Sequence, residues 1–406
     1  MDLLHKATEV AKILHDNGFI AFFAGGFVRD LLCNNPSDDI DIATNASPEQ
    51  ICALFEKCIL VGAQFGIVVV VHRTHQFEVS TFRTDALYID GRRPTHVQLH
   101  GDPKEDAKRR DFTINGMFYD PIEKTIIDYV GGKKDLELGI VRAIGDPIAR
   151  FKEDRLRMIR AVRFVARFDF ALDPKTEEAI KSLSNTILPA VSKERIWQEF
   201  EKMNLFKSLD RCLVLMAKFG LLAALFEPLK GCTSDFVKKR LSGFGTILEK
   251  VPVILHLVTL FDDDAYILSL PDYLKTSSEE KNWVELYLAL KNLKSMKQPF
   301  EDELLWVEIL ANHRAKTCIE VLTSEHREND LKFIKNVRHL EMELFFYIEC
   351  QHAKKWFFGA KDLAELGVHP GKEMGRILRL AKRKAIELRI VDKVKLMNEV
   401  STMMPL

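Results

Sequence analysis

Residues 19–44 read Phe-Ile-Ala-Phe-Phe-Ala-Gly-Gly-Phe-Val-Arg-Asp-Leu-Leu-Cys-Asn-Asn-Pro-Ser-Asp-Asp-Ile-Asp-Ile-Ala-Thr. The apolar run Phe19–Ala24 predicts a strand, stopped at Gly25-Gly26, with a short helical pattern from Val28. A glycine turn ahead of a helix N-terminus offers free backbone N–H groups and the positive end of a dipole, which suits a phosphate. Arg29 falls on the first helical turn, within guanidinium reach of the same phosphates. Asp39 and Asp41 then share one face of a second short strand, roughly 7 Å apart along it. Two such carboxylates, with Asp38 beside them, repel each other unless a hard cation such as Mg²⁺ intervenes. A phosphate cradle next to a carboxylate pair points to phosphoryl or nucleotidyl transfer.

Outward from this stretch, the chain divides by pattern. The first ~140 residues alternate helix and strand signals. A helical pattern runs from Leu3 to His15, and strand-like runs follow at Ile40–Ala43, Ile67–Val71, Phe77–Thr81, Ile114–Tyr119 and Ile126–Asp128. From Ile148 onward amphipathic helices dominate, broken at Gly220, Pro228, Gly231, Pro252, Pro271, Pro299 and Gly359. The expectation is an α+β fold: a mixed α/β head followed by an all-helical remainder. Arg83 to Lys108, with Asp90-Gly91-Arg92-Arg93-Pro94 inside it, reads as a long flexible loop of the functional kind.

Composition narrows the class. With 406 residues, 47% of them hydrophobic, the chain is globular and multi-domain. Lys+Arg and Asp+Glu both number 59, so any nucleic-acid surface must be local. The strongest local excess is Gln351–Lys395, with 12 Lys/Arg against 5 Asp/Glu and Trp356, Phe357 and Phe358 near its start. Basic helices with nearby aromatics suit an RNA backbone, and Arg376, Arg379, Lys382 and Arg383 are its candidate contacts. Seven cysteines without a C-x-x-C pair read as reduced thiols. No apolar run is long enough to span a membrane, and a cytoplasmic enzyme is expected.

Two further constellations bear on a nucleotide. In Arg109-Arg110-Asp111-Phe112-Thr113-Ile114-Asn115, charged donors stand at a strand entrance, which suits triphosphate and ribose. Glu153-Asp154-Arg155-Leu156-Arg157 opens a helix carrying Arg160, Arg163 and Arg167. Asp154 and Arg157, at i and i+3, share a face. Together they offer an acceptor for the exocyclic amino group of C or A and a donor for the neighbouring ring nitrogen or carbonyl. G and U present a carbonyl there and would leave polar groups unpaired. Glu78 reads as a solvent-facing strand residue, with a place beside the aspartates as the alternative. His15-Asp16 and Leu255-His256 with Phe261-Asp262 are incomplete as metal-dependent HD sites.

These motifs resemble the class II tRNA nucleotidyltransferase and bacterial poly(A) polymerase family, strongly over the first ~205 residues and loosely beyond. Gly25-Gly26-x-Val28-Arg29-Asp30 with Asp39-x-Asp41 is similar to its metal and phosphate motif. Arg109-Arg110-Asp111-Phe112-Thr113-x-Asn115 matches its ribose-sensing motif, and Asp128-x-x-Gly131-Gly132-x-x-Asp135 its head-to-neck hinge. Glu153-Asp154-x-x-Arg157 resembles its amino-acid template for the base. Ser192-Lys193-Glu194-Arg195-Ile196-x-x-Glu199 looks like its neck helix.

The resemblance implies a polymerase-β-like nucleotidyltransferase head (1–143), a helical neck (144–205), a body (206–350) and a tRNA-binding tail (351–406). It implies Asp39 and Asp41 as catalytic metal ligands for two Mg²⁺ ions. It implies nucleotide binding by Gly25, Gly26, Arg29, Arg110, Asp111, Asn115, Glu153, Asp154, Arg157, Arg160 and Arg163. ATP and/or CTP would be the substrates and the 3′ end of tRNA the acceptor. Members add CCA, CC, A or poly(A) on the same motifs. The intact Arg83–Lys108 segment favours A-addition, while Val61-Gly62-x-x-Phe65-Gly66 departs from the tRNA-enzyme form and keeps a poly(A) polymerase as the alternative. An inert RNA-binding scaffold is a third reading, opposed by intact Asp39 and Asp41. Pro252–Leu270 looks like a degenerate HD-like stretch without phosphohydrolase activity.

Overall fold

The computed structural model describes residues 2–35, 39–62, 66–85, 97–99, 101–247, 250–324 and 328–403. It divides into two compact units, Met1–Val237 and Lys238–Leu406.

The first unit opens with helix α1 (Asp2–Asp16), strand β1 (Ala21–Ala24), helix α2 (Gly26–Leu32), strand β2 (Asp41–Thr44) and helix α3 (Pro48–Leu54). Four strands follow: β3 (Cys58–Gly62), β4 (Ile67–His72), β5 (His75–Thr81) and β6 (Arg83–Asp85). Then come β7 (Val97–Leu99), α4 (Pro103–Arg109), β8 (Phe118–Asp120), β9 (Thr125–Ile127) and α5 (Gly132–Glu137). Among the described residues, seven strands form one mixed sheet in the order β3-β4-β5-β2-β1-β8-β9, with β2 and β5 parallel and the other neighbours antiparallel. Alternation along the strands sends Phe23, Ile42, Val68, Val70, Phe77 and Val79 into a core closed by Leu14 of α1, Val28 of α2 and Ile51 of α3. On the opposite face Ala24, Ala43, Phe82 and Phe118 pack with Ala107 of α4.

Three local expectations are corrected. Ile114–Tyr119 is not one strand: Thr113–Asn115 forms a 3₁₀ turn and only β8 pairs. The Thr113 hydroxyl reaches the Asp135 carboxylate at 2.7 Å, so side-chain bonding overrides the apolar strand pattern. Arg83–Lys108 is not uniformly loop, since β6 pairs with β7 and α4 is capped by Asp102. Residues 86–96 and 100, the centre of the expected loop, lie outside the described residues, as do Asp38 and Phe65. Strand β3 was not anticipated: its Leu60 and Val61 are exposed, so no alternation marks it.

The rest of this unit is helical: α6 (Pro147–Glu153), α7 (Leu156–Phe168), α8 (Pro174–Leu183), the short α9 (Ile187–Ala190), α10 (Lys193–Leu205), α11 (Leu209–Lys218) and α12 (Leu221–Leu225). A two-stranded pair, Ile140–Val141 with Ala171–Leu172, precedes and follows α6 and α7. The hinge-like stretch is locked locally. The Asp128 carboxylate accepts the N–H groups of Val130, Gly131, Gly132 and Lys133 at 2.9–3.0 Å, capping α5. Asp135 accepts a two-point contact from Arg142.

The second unit is all-helical among its described residues, from Val253–Val258 to Lys393–Met403. His256 is buried and packed on Phe244, with ring centroids 4.4 Å apart, so the HD-like stretch serves the core. All seven cysteines are free. No described helix is long and apolar enough to cross a membrane.

Candidate active site

Sheet register brings the first motif together. Ala24, the last residue of β1, pairs with Asp41, the first of β2, so the Gly25-Gly26 turn and the carboxylate leave the sheet at the same end. Gly25 adopts φ 68°, a conformation that favours glycine, and a Cβ there would stand 3.0 Å from a terminal nitrogen of Arg110. On the other side of β2, Ile42 pairs with Val79 in parallel, which sets Glu78 beside Asp41.

The electrostatics follow from that register. The Asp41 carboxyl is pushed up to about 6 by burial, then by the negative charges of Asp39 and Glu78, with Arg110 opposing. Burial and Asp39 also raise Glu78, against Arg83. Glu78 is exposed as a residue, as its strand position predicts, while its carboxyl is partly desolvated and lies within the field of Asp39. Among the described residues no group of three or more His, Cys, Asp and Glu side chains is gathered closely enough to hold a metal ion. Neighbouring carboxylates whose mutual repulsion raises Asp41, with Arg110 opposing, nevertheless fit Mg²⁺, which takes one or two carboxylates and completes its shell from water and substrate phosphates.

Arg29 does not stand free at the turn. It is 3% exposed. Its guanidinium donates to Asp30 at 2.9 Å and to Asn115 at 2.5 Å, and lies 4.7 and 5.2 Å from the ring centres of Phe168 and Phe164. Burial lowers its proton affinity while Asp30 opposes. It joins α2 to the 113–115 turn and to α7. A terminal nitrogen still lies 3.6 Å from the position of a Cβ on Gly26, so the cradle and the guanidinium are adjacent. Arg167 closes the same cluster from α7, 3.2 Å from Asp30.

The 109–115 segment is held by acids. Asp106 is 1% exposed and accepts from both Arg109 and Arg110, which aims Arg110 at Gly25 and over the Phe118 ring. Burial works against the Asp111 charge, yet Arg160 and the Asn115 amide hold its carboxyl well below the usual range. Arg160 and Asn115 donate to Asp111 at 2.8 and 3.1 Å.

At the candidate base template the sequence reading needs correction. Asp154 is not on the opening turn of the helix; it sits at the joint between α6 and α7 with extended φ −145°. Its short side chain accepts the Leu156 N–H, which competes with continuing the helix and starts the next one. Asp154 and Arg157 remain neighbours across that joint. Arg157 donates to Glu153 at 2.7 Å and to the Arg150 and Arg109 carbonyls. Its Nε–H and one terminal N–H have no protein partner among the described residues.

Two residues of the neck-helix motif, to which the sequence assigns no role at the template, support this site. Arg195 binds Asp154 at 2.7 and 3.2 Å. Glu199, one turn further along α10 and 2% exposed, lies 2.7 Å from Arg163 Nε and 3.7 Å from Arg160. The signal was present as spacing: Arg195 and Glu199 are i and i+4 on a helix whose apolar positions face inward. In the tail, Arg376 pairs with Glu373, Arg379 with Glu308 and Arg383 with Asp302, while Lys382 donates to Gln351 and lies over Trp356. These four cations are thus on exposed or half-exposed helix surface with partners of their own chain.

The sequence profile of the poly A polymerase head domain matches residues 21–142, and that of a probable RNA- and SrmB-binding site of polymerase A matches 169–232. The CCA-adding enzyme of Lactobacillus helveticus is 47% identical over 204 residues, 50% of this chain and 51% of that one. That of Bacillus pumilus is 38% identical over 272 residues, 66% of each. The chain spans about half the length of most curated relatives it matches. Among solved structures, the Bacillus stearothermophilus CCA-adding enzyme in complex with CTP superposes with TM-score 0.73 at 28% identity, over 99% of both chains. The Thermotoga maritima CCA-adding enzyme complexed with tRNA shares the fold, with TM-score 0.70 at 21% identity, over 99% of this chain and 95% of that one.

Proposed function

We propose that this chain, which belongs to the poly(A) polymerase and CCA-adding enzyme family, is a template-independent nucleotidyltransferase that adds CMP and/or AMP to the 3′ end of tRNA. The observation that carries this is the register of β1, β2 and β5, which sets the glycine turn and Glu78 beside Asp41, with Arg110 against Gly25 and the charge of Asp39 acting on Asp41. The relatives named as CCA-adding enzymes support the tRNA end as acceptor.

In this reading residues 1–143 are the catalytic head, 144–205 the neck, 206–350 the body and 351–406 an RNA-gripping tail, in a cytoplasmic enzyme. Asp39 and Asp41 would hold Mg²⁺, two ions in all. When bound, Mg²⁺ offsets the charge of the triphosphate and of the attacking oxygen. Gly25, Gly26 and Arg110 seat the phosphates, Arg29 and Asn115 brace that seat, and Asp111, its oxygens taken by Phe112, Asn115 and Arg160, contributes to the nucleotide site by holding the 109–115 segment in place. The RNA 3′ oxygen attacks the α-phosphorus in line; its bond to phosphorus forms as the bond to the departing pyrophosphate breaks. Asp154 accepts from the amino group of C or A. The two unspent N–H groups of Arg157 reach the ring nitrogen and, for C, the carbonyl. Glu153 holds Arg157, and Arg160 and Arg163 lock α7 behind it.

The test is to incubate the protein with tRNA ending in the discriminator base, in -C or in -CC, with CTP or ATP and Mg²⁺, and to size the products. Arrest at CCA, or after one A on the -CC substrate, supports the proposal. An open-ended ladder of A would assign a poly(A) polymerase instead. No extension of any substrate would remove the enzymatic reading.

A further inference from the structure

Asp154 is gripped by a residue 41 positions away in sequence. Arg195, on the first turn of α10, sends one terminal nitrogen to each carboxylate oxygen: 3.2 Å to Oδ1 and 2.7 Å to Oδ2. Both side chains are about four-fifths buried, at 21% and 17% exposure, so the fork holds away from bulk water. Oδ1 also accepts the Leu156 N–H at 3.1 Å.

An ionised carboxylate has about four acceptor positions, two on each oxygen. Oδ1 is filled by Leu156 and Arg195, and Oδ2 holds one contact from Arg195. One acceptor position remains, on Oδ2. A two-point guanidinium contact also fixes the plane of the carboxylate, which a single contact does not. Leu156 alone would leave Asp154 free to swing about its side-chain torsions at the joint between the two helices.

We propose that Arg195 is a specificity-positioning residue: it holds Asp154 in one plane with a single acceptor position open, so the template takes one N–H from a base. An exocyclic amino group supplies that N–H. A base carbonyl cannot, and meets an oriented oxygen lone pair instead. This rests on the reading of Asp154 and Arg157 as the base template. It assigns the rejection of carbonyl-bearing bases to the second helix of the site, through the same face of α10 whose Glu199 restrains Arg163.

Full-length protein carrying Arg195→Met, Arg195→Lys, Asp154→Ala or Asp154→Ala with Arg195→Met is assayed on a tRNA primer. kcat and KM are measured separately for ATP and GTP, or for CTP and UTP on primers that take C, with thermal midpoints in parallel. Arg195→Met is expected to reduce the preference for the amino-bearing base by about 10-fold. Arg195→Lys, which keeps the charge but not the fork, should lose a large part of that preference. The double variant should be no less selective than Asp154→Ala alone.

If Asp154→Ala is selective as before, the template reading fails and this inference with it. If Asp154→Ala loses selectivity while both Arg195 variants keep it and slow all nucleotides alike, the template stands and the role of Arg195 is overturned. Should Arg195→Met fail to fold, Arg195→Lys decides the question on the same readout.

Discussion

Arg160 and Asp111 meet across 49 residues of chain: the Arg160 Nε donates to Asp111 Oδ2 at 2.8 Å, and a terminal nitrogen lies 2.6 Å from the same oxygen. The pair ties the 109–115 segment to α7. Burial alone would lower the proton affinity of Arg160, but Asp111 and Glu199 outweigh it.

Breaking that pair from one side should cost about 3–5 kcal/mol, because the surviving charge stays buried. Equilibrium urea unfolding of Asp111→Ala and Arg160→Met measures it. The pH sign follows from Asp111 being held well below its ordinary value. Its stabilisation is complete above about pH 4 and is lost as pH falls below that. Asp111→Asn should flatten this acid limb; an unchanged limb would place the titration elsewhere.

Asp41 has the opposite sign. Its carboxyl is raised to about 6, so ionisation is disfavoured in the folded protein. The cost is absent below about pH 4, grows as pH rises towards 6 and is complete above it. Asp41→Asn should stabilise the metal-free protein at pH 7.5 by roughly 3 kcal/mol. Added Mg²⁺ should raise the unfolding temperature of the wild type more at pH 7.5 than at pH 5, and that of Asp41→Asn little at either. Destabilisation by Asp41→Asn at pH 7.5 would contradict this.

Much of the first unit was legible in sequence because its signals are local. Phe19–Ala24 is an apolar run stopped at glycine and the stretch from Ile40 alternates, and β1 and β2 fall there, although β2 begins at Asp41 and leaves Asp39 just ahead of the strand. What was hidden depends on contacts between distant segments. The sheet order that sets Glu78 beside Asp41 comes from a parallel pairing with no local mark. The break at Asp154 depends on a side-chain bond to the Leu156 N–H that competes with a good helical pattern. Arg195 and Glu199 were legible as neck-helix residues but not as supports of the template, since their partners on α7 and at its entrance are tens of residues away.

Gly132 illustrates close approach without a special backbone angle. A Cβ there would lie 2.1 Å from the Thr113 carbonyl oxygen, whereas Gly131, at φ 78°, faces open space. Gly132→Ala should therefore destabilise by about 1–3 kcal/mol through overpacking. Gly131→Ala should cost about 1 kcal/mol through its left-handed angle. Thermal unfolding of the two variants orders them; the reverse order would mean that the turn at Thr113 yields easily.

In the tail, reversing the charges of Arg376, Arg379, Lys382 and Arg383 should weaken tRNA binding and flatten its salt dependence, because fewer counterions are released. Their partners Glu373, Glu308 and Asp302 form exposed pairs that cost little to exchange for phosphate. Binding isotherms across a salt series test this, and an unchanged slope would place the grip outside these helices.

The most direct measurement is the stoichiometry of transfer. Labelled CMP or AMP incorporation into tRNA lacking its 3′ end is followed together with pyrophosphate release, for the wild type, Asp39→Ala and Asp41→Ala, with tRNA binding recorded in parallel. The account predicts one pyrophosphate per nucleotide added by the wild type, and neither product from either variant while tRNA binding survives. Near-normal incorporation by both variants, or pyrophosphate release without incorporation, would contradict it.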